Sequence, residues 1–267
     1  MPIIRIDRFD DPRLENYRNV SDAELLRRRN LFVGEGRLVV GRVLAEKYRV
    51  VSMLLNNASV RALESSLVEL GETPIYVCDN DEFASMTGFN LHRGCLALAE
   101  RPAPRTADEI ADASGLILVL EAVTDADNVG SVFRNAAAFA ADGVLISPTC
   151  CDPLYRKAIR TSMGSTLRVP YARVENWPGS IDKLKRKEFT VVALTPSESA
   201  LDLGSFARQG GQKIAVLVGS EGAGLSERVV AMADVHLRIP IRREVDSLNL
   251  ATATGIALYH LTGSRST

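Results

Sequence analysis

Five near-continuous aliphatic runs dominate the second half of the chain: GLILVL at 115–120, GVLIS at 143–147, FTVVALT at 189–195, KIAVLVGS at 213–220 and VHLRIPI at 235–241. A strand with one wet face alternates apolar and polar residues. A run without alternation is buried on both faces, which implies a parallel sheet covered by helices on each side. Segments with helical spacing separate the runs, near 128–141, 153–162, 177–187, 225–232 and 247–262. The alternation predicts an open α/β fold with a parallel sheet. Ligands of such sheets bind beyond the carboxyl ends of the strands, so the residues that follow each run are the places to look for chemistry.

At 267 residues the chain has room for two domains. Pro102 and Pro104, followed by a polar acidic stretch, predict a linker over 101–114. Residues 1–100 read as a smaller α/β domain. Ser21 and Glu24 have capping-box spacing before a helix. LFVGEG, RVVSMLLNN, TPIYVCD and GCLALAE read as strands. RLVVGRVLAEKY and SVRALESSLVELG read as helices, the second ending at Gly71. Residues 115–267 form the second domain.

The net charge is −1, so a nucleic-acid partner would need a local basic patch rather than a global field. Arg27, Arg28 and Arg29 form a run, with Arg37 and Arg42 close behind, and Arg156, Lys157, Arg160 and Arg168 form a second cluster. Such runs are solvated helix faces or phosphate contacts, for which the bidentate guanidinium is well suited. None of the four cysteines sits in a C-x-x-C pair, and the three histidines are scattered, so neither a zinc site nor a disulfide framework is expected. The cysteines read as small buried hydrophobes. The N-terminus lacks the apolar core of a signal peptide, and no apolar run approaches the ~20 residues of a membrane span, so a cytoplasmic protein is expected.

Three strand ends carry unusual residues. After GLILVL, the turn TDAD leads to Asn128, Gly130 and Arg134 at the mouth of a helix. Asn128 can cap that helix, Gly130 allows close approach, and Arg134 one turn in suits a phosphate or ribose; a capped helix with a surface arginine is the bland alternative. After KIAVLV come Gly219, Glu221, Gly222 and Gly224, then Ser226 as the cap of the next helix. This is neither G-x-G-x-x-G nor a P-loop. An acidic group among glycines suits a ligand with hydroxyls or positive charge, or marks a tight turn. After Ile239-Pro240-Ile241, a polar stretch with Arg242 and Arg243 leads to Asp246, Ser247, Leu248 and Asn249, then a helix opening with small residues, LATATG. Those are mediocre helix formers and fit a helix packed close to another backbone.

Taken in order, N-x-G-x-x-x-R at 128–134, G-S-E-G-x-G at 219–224 and I-P-I…S-L-N at 239–249 resemble the three motifs of the SpoU (TrmH-like) RNA 2′-O-ribose methyltransferases of the SPOUT superfamily. The likeness covers roughly residues 115–263. FVGEGRLVVGRVL and HRGCLALAERP also resemble the small L30e-like substrate-binding domain of many members. The resemblance implies a deep trefoil knot in the second domain, a rare exception to unknotted folds. It implies S-adenosylmethionine bound by Thr195, Gly219, Glu221, Gly224, Ile239, Ile241 and Leu248, and a homodimer whose active sites take residues from both subunits. It assigns catalytic positions to Arg134, Asn128, Glu221, Ser247 and Asn249, with Arg134 orienting the phosphate and 2′-hydroxyl, Asn128 holding Arg134, and no metal required. Arg27, Arg28, Arg37, Arg156 and Arg160 are the expected RNA contacts. One departure is Thr252, whose hydroxyl falls one position beyond the serine of many members. Ribosomal RNA is the expected substrate, with transfer RNA the alternative. A non-catalytic RNA-binding or ribosome-assembly protein on the same fold is a second class of function.

Overall fold

The computed structural model describes residues 2–8, 10–18, 20–79, 94–242 and 244–263. His92 and Arg93 of the HRGCLALAERP phrase, and Arg243, lie outside the described residues. The chain divides into two compact units, one of residues 1–103 with 154–167, the other of residues 104–153 with 168–267.

The second unit carries a seven-stranded, all-parallel sheet in the order β10 (Leu201–Asp202), β12 (Val235–Arg238), β9 (Phe189–Leu194), β11 (Lys213–Val218), β6 (Leu116–Leu120), β7 (Gly143–Ile146), β8 (Tyr171–Arg173). Every residue of β6 and β7 is buried, as the unalternating runs require. On one face, Ile117, Val119, Ala215 and Leu217 pack with Ile110, Ile181, Leu184 and Val229 from helices Ala107–Asp112, Ser180–Arg186 and Glu227–Ala231. Leu116, Leu118, Ile214 and Val216 are equally buried and, by strand alternation, point to the opposite face. Helix Ala126–Ala138 packs against β7 and against the last helix, Leu250–Gly263. There the small residues of LATATG find their reason: Asn135 Nδ2 donates to the Ala251 carbonyl at 2.6 Å, and a Cβ at Gly255 would crowd that amide.

The first unit is a mixed five-stranded sheet in the order β1 (Ile3–Arg5), β4 (Ile75–Val77), β3 (Val50–Leu55), β5 (Cys95–Glu100), β2 (Leu31–Glu35), with β1, β4 and β3 parallel and the rest antiparallel. Ile6, Leu14, Tyr17, Leu25, Val33, Leu54 and Leu98 form its core. All four cysteines are free and buried, and burial pushes the Cys95 thiol up to about 12 and the Cys151 thiol up to about 11. Thiols so raised stay protonated and unreactive at neutral pH. Among the described residues no helix is long and apolar enough to cross a membrane.

Three features differ from the sequence reading. The stretch 101–114 is not all linker: Thr106 and Glu109 close a capping box on helix Ala107–Asp112, whose Ile110 and Ala111 are buried in the second unit. The strands β1, β8 and β10 are too short to carry a periodicity. Segment 154–167 belongs to the first unit although its sequence lies within the second. Its helix Arg156–Thr161 packs on β2. Asp22 accepts from Arg156 N (2.8 Å) and Nε (2.5 Å), Arg156 Nη2 donates to the Val20 carbonyl (2.6 Å), Arg42 donates to the Met163 carbonyl, and Tyr48 donates to the Leu167 carbonyl (3.0 Å).

Arg156 is two-thirds shielded and its partner Asp22 more so. Truncation leaves a partly buried carboxylate with one donor. Arg156→Ala is expected to cost about 1–3 kcal/mol in urea denaturation, with Arg156→Lys recovering less than half because an ammonium cannot reproduce the fork. A loss within error of zero would separate segment 154–167 from the first unit.

Candidate active site

A cavity of about 280 Å³ opens at the carboxyl ends of three adjacent strands. Leu194, Thr195 and Pro196 follow β9. Val218, Gly219, Ser220, Glu221, Gly222 and Gly224 follow β11. Ile239 and Ile241 follow β12, and Ser247 to Leu250 with Ala253 close the remaining side at the start of the last helix. The lining is chiefly aliphatic side chains and loop backbone, with Thr195, Ser220, Glu221, Ser247 and Asn249 as the polar exceptions. Such a surface fits a flat apolar group that also carries hydroxyls and charge at its periphery.

The glycine loop is folded on itself. Gly224 N donates to the Ser220 carbonyl at 2.9 Å, and the two residues form a β-bridge. Gly222 and Gly224 lie at φ 89° and 68°, which a side chain would strain. A Cβ on Gly219 would land on the Gly224 carbonyl and the Leu225 nitrogen. Gly219 is therefore required by the loop's own backbone. Ser226 caps helix Glu227–Ala231, accepting from Val229 N.

Asn249 joins three elements. Its Oδ1 accepts from Ala251 N (2.9 Å) and Thr252 N (3.2 Å), which caps the last helix. Its Nδ2 donates to Glu221 Oε1 in the glycine loop (2.6 Å) and, more weakly, to Asn128 Oδ1 (3.4 Å). Asn128 is buried inside the first turn of helix Ala126–Ala138. The cap of that helix is Asp125, whose carboxylate accepts from Asp127 N at 2.8 Å, so the expected capping role of Asn128 is not what the structure shows.

The sequence profile of the SpoU rRNA Methylase family matches residues 115–259. That is more than half of the 267-residue chain. The chain belongs to the SpoU rRNA methylase family. An uncharacterized tRNA/rRNA methyltransferase of Mycobacterium bovis is 41% identical over 261 residues, spanning 96% of this chain and 90% of its own length. The 23S rRNA (guanosine(2553)-2′-O)-methyltransferase RlmP of Bacillus subtilis is 26% identical, spanning 97% and 99%. Among solved structures, an AdoMet-bound rRNA methyltransferase from Sinorhizobium meliloti superposes with a TM-score of 0.82 over 99% of both chains at 23% identity. The AdoMet complex of AviRb from Streptomyces viridochromogenes gives 0.76 over 90% of this chain and 92% of its own, at 22% identity. At those identities the likeness is one of fold.

In this SpoU-family chain, Thr195, Gly219, Glu221, Gly224, Ile239, Ile241 and Leu248 all line the cavity, as do Ser247 and Asn249. Asn128 touches that set through Asn249. Arg134 does not. It is exposed, makes no hydrogen bond or ion pair among the described residues, and sits about 240° around the helix from Asn128 at 3.6 residues per turn. Asn128 therefore does not hold Arg134. In the first unit, Arg27, Arg28 and Arg37 are exposed and make no hydrogen bond or ion pair among the described residues. Arg160 is exposed 3.8 Å from Glu35, whereas Arg156 commits its donors to Asp22 and Val20. Of the lining residues that sequence reasoning did not single out, Leu194, Val218 and Leu250 flank the motifs and carry no distinctive chemistry of their own, and Ser220 lies within G-S-E-G-x-G.

Asn249→Ala removes the acceptor for two backbone N–H groups and is expected to cost about 1–2 kcal/mol in chemical denaturation. Asn249→Ser keeps a capping oxygen and should recover most of that loss, while the donor to Glu221 stays absent. Equal losses in the two variants would show that the cap is not what Asn249 contributes.

Proposed function

We propose that this chain transfers a methyl group from S-adenosylmethionine to the ribose 2′-hydroxyl of a nucleotide in structured RNA, with ribosomal RNA favoured over transfer RNA. The observation that carries the reading is the convergence of three separated stretches, 195, 219–224 and 239–249, on one cavity at the strand ends. Ile239, Ile241 and Leu248 offer apolar walls for a base. Glu221 and the loop backbone offer partners for ribose hydroxyls and a cationic tail. The bound cofactor supplies a methyl group already activated on a sulfonium, so the protein's task is alignment, which can contribute several powers of ten. The B. subtilis relative, a guanosine 2′-O-methyltransferase of 23S rRNA, supports the choice of reaction and of RNA.

Arg134 binds the phosphate beside the reacting ribose and polarises the 2′-hydroxyl. A guanidinium stays charged in ordinary settings, which favours orientation over proton abstraction. Because Arg134 does not line the cavity of its own chain, a second copy of the chain completes each site. Ile256 and Tyr259 are exposed on the last helix, and Phe139 packs edge-on to Tyr259 at 6.1 Å, giving an apolar face beside the helix that carries Arg134. The homodimer closes through that face. Asn249, Glu221 and Ser247 hold the polar rim of the cavity, and the chain crossing beneath them forms the trefoil knot of the family. The first unit is an L30e-like RNA-binding domain, with Arg27, Arg28, Arg37 and Arg160 on phosphates. The protein works in the cytoplasm.

Methyl transfer from labelled S-adenosylmethionine into unmodified ribosomal and transfer RNA pools tests this reading. Label in ribosomal RNA, recovered in alkali-resistant dinucleotides, is expected. Arg134→Ala should lower kcat on the order of 100-fold. Mixing inactive Arg134→Ala with inactive Glu221→Ala should restore about a quarter of wild-type activity through mixed dimers. Label on a base, or no restoration on mixing, would overturn the 2′-O assignment or the shared site respectively. Label in transfer RNA alone would reassign the substrate.

A further inference from the structure

We infer that Glu121, which does not line the cavity, is a positioning residue that tethers the glycine loop forming one wall of it. The inference rests on the proposed cofactor site. Glu121 follows β6 directly at the carboxyl edge of the sheet and is buried, 8% exposed, with no cation paired to it among the described residues. Three donors compensate its carboxylate. Oε1 accepts from Trp177 Nε1 (2.9 Å) and from Ser226 Oγ (2.9 Å), and Oε2 accepts from Ser226 N (2.8 Å). A buried carboxylate is costly unless its acceptors are filled, so this geometry is strongly favoured over one that releases any donor.

The consequence lies in where the donors sit. Ser226 ends the glycine loop and caps the helix after it. The loop's other end leaves β11 at Val218, whose carbonyl accepts from Glu121 N at 2.9 Å. One residue thus fixes both ends of the loop, by its backbone at 218 and its side chain at 226. Between those points, Glu221 is presented to Asn249 at 2.6 Å and Gly219, Gly222 and Gly224 face the cavity. Trp177 adds an anchor from outside the loop. Releasing Ser226 frees the helix end of the loop from the sheet edge, leaving Val218 and the Glu221–Asn249 contact to hold it, and the wall loses its shape without losing any group that touches the reacting atoms.

The test compares the full-length wild type with Glu121→Gln, which keeps size but places an amide donor where a carboxylate oxygen accepts, and with Trp177→Phe, which removes one donor of three. Without cofactor, amide hydrogen exchange at 219–226 should rise about tenfold in Glu121→Gln, while amides of 116–120 and 213–218 stay protected. With cofactor, the KM for S-adenosylmethionine should rise about tenfold with kcat held within about threefold, and Trp177→Phe should fall between. Unchanged exchange at 219–226, or a lost kcat at unchanged KM, overturns the tether. A wild type that binds no S-adenosylmethionine in calorimetry contradicts the cofactor reading, and the exchange experiment still decides the tether.

Discussion

The side-chain amide of Asn249 is the joint on which the site depends. One end of it satisfies two backbone donors at the start of the last helix, and the other end donates to Glu221 and Asn128. The amide has two distinct ends, an acceptor and a donor, and each is used where only that end can serve. The last helix cannot shift without disturbing the glycine loop, nor the loop without disturbing the helix. An aspartate would cap as well but would set a second carboxylate against Glu221. A serine would cap but could not span to it. The residue type follows from having to do both.

The sheet explains why such a joint lies where it does. Strands β9, β11 and β12 are adjacent and parallel, so the segments leaving them emerge on one edge. Burial on both faces fixes the register of β9 and β11, and β12, which buries only Leu237, pairs with β9 to complete the base of the three loops. The chain runs outward from β6 through β7 and β8, then returns to place β9, β11 and β12 on the other side of β6. The cavity sits beside that reversal, where an open α/β sheet presents diverging loops.

Much of this was legible in the sequence, and for physical reasons. The unalternating runs at 115–120 and 143–147 fit doubly covered strands, as β6 and β7 are, and the glycines at 222 and 224 mark positive φ. The cavity residues lie where the strands end. Other features left no sign. The membership of 154–167 in the first unit depends on Asp22 meeting Arg156, a contact between residues 134 apart in sequence. Sequence proximity to the strand end suggests that Arg134 reaches the cavity, but it is exposed and does not line it, and no sequence signal marks that difference. Glu121 reads as an ordinary acid at the end of a strand until its three donors are seen. Asn128 looked like a cap because caps and first-turn residues differ by only a few positions, and Asp125 takes that role.

The most direct test is ultraviolet cross-linking of labelled S-adenosylmethionine to the wild-type protein, followed by peptide mapping of the label. The label is expected within 194–196, 218–224 and 239–253, and is displaced by excess unlabelled cofactor. Specific label confined to residues 2–103, or label that excess cofactor does not displace, would contradict the account.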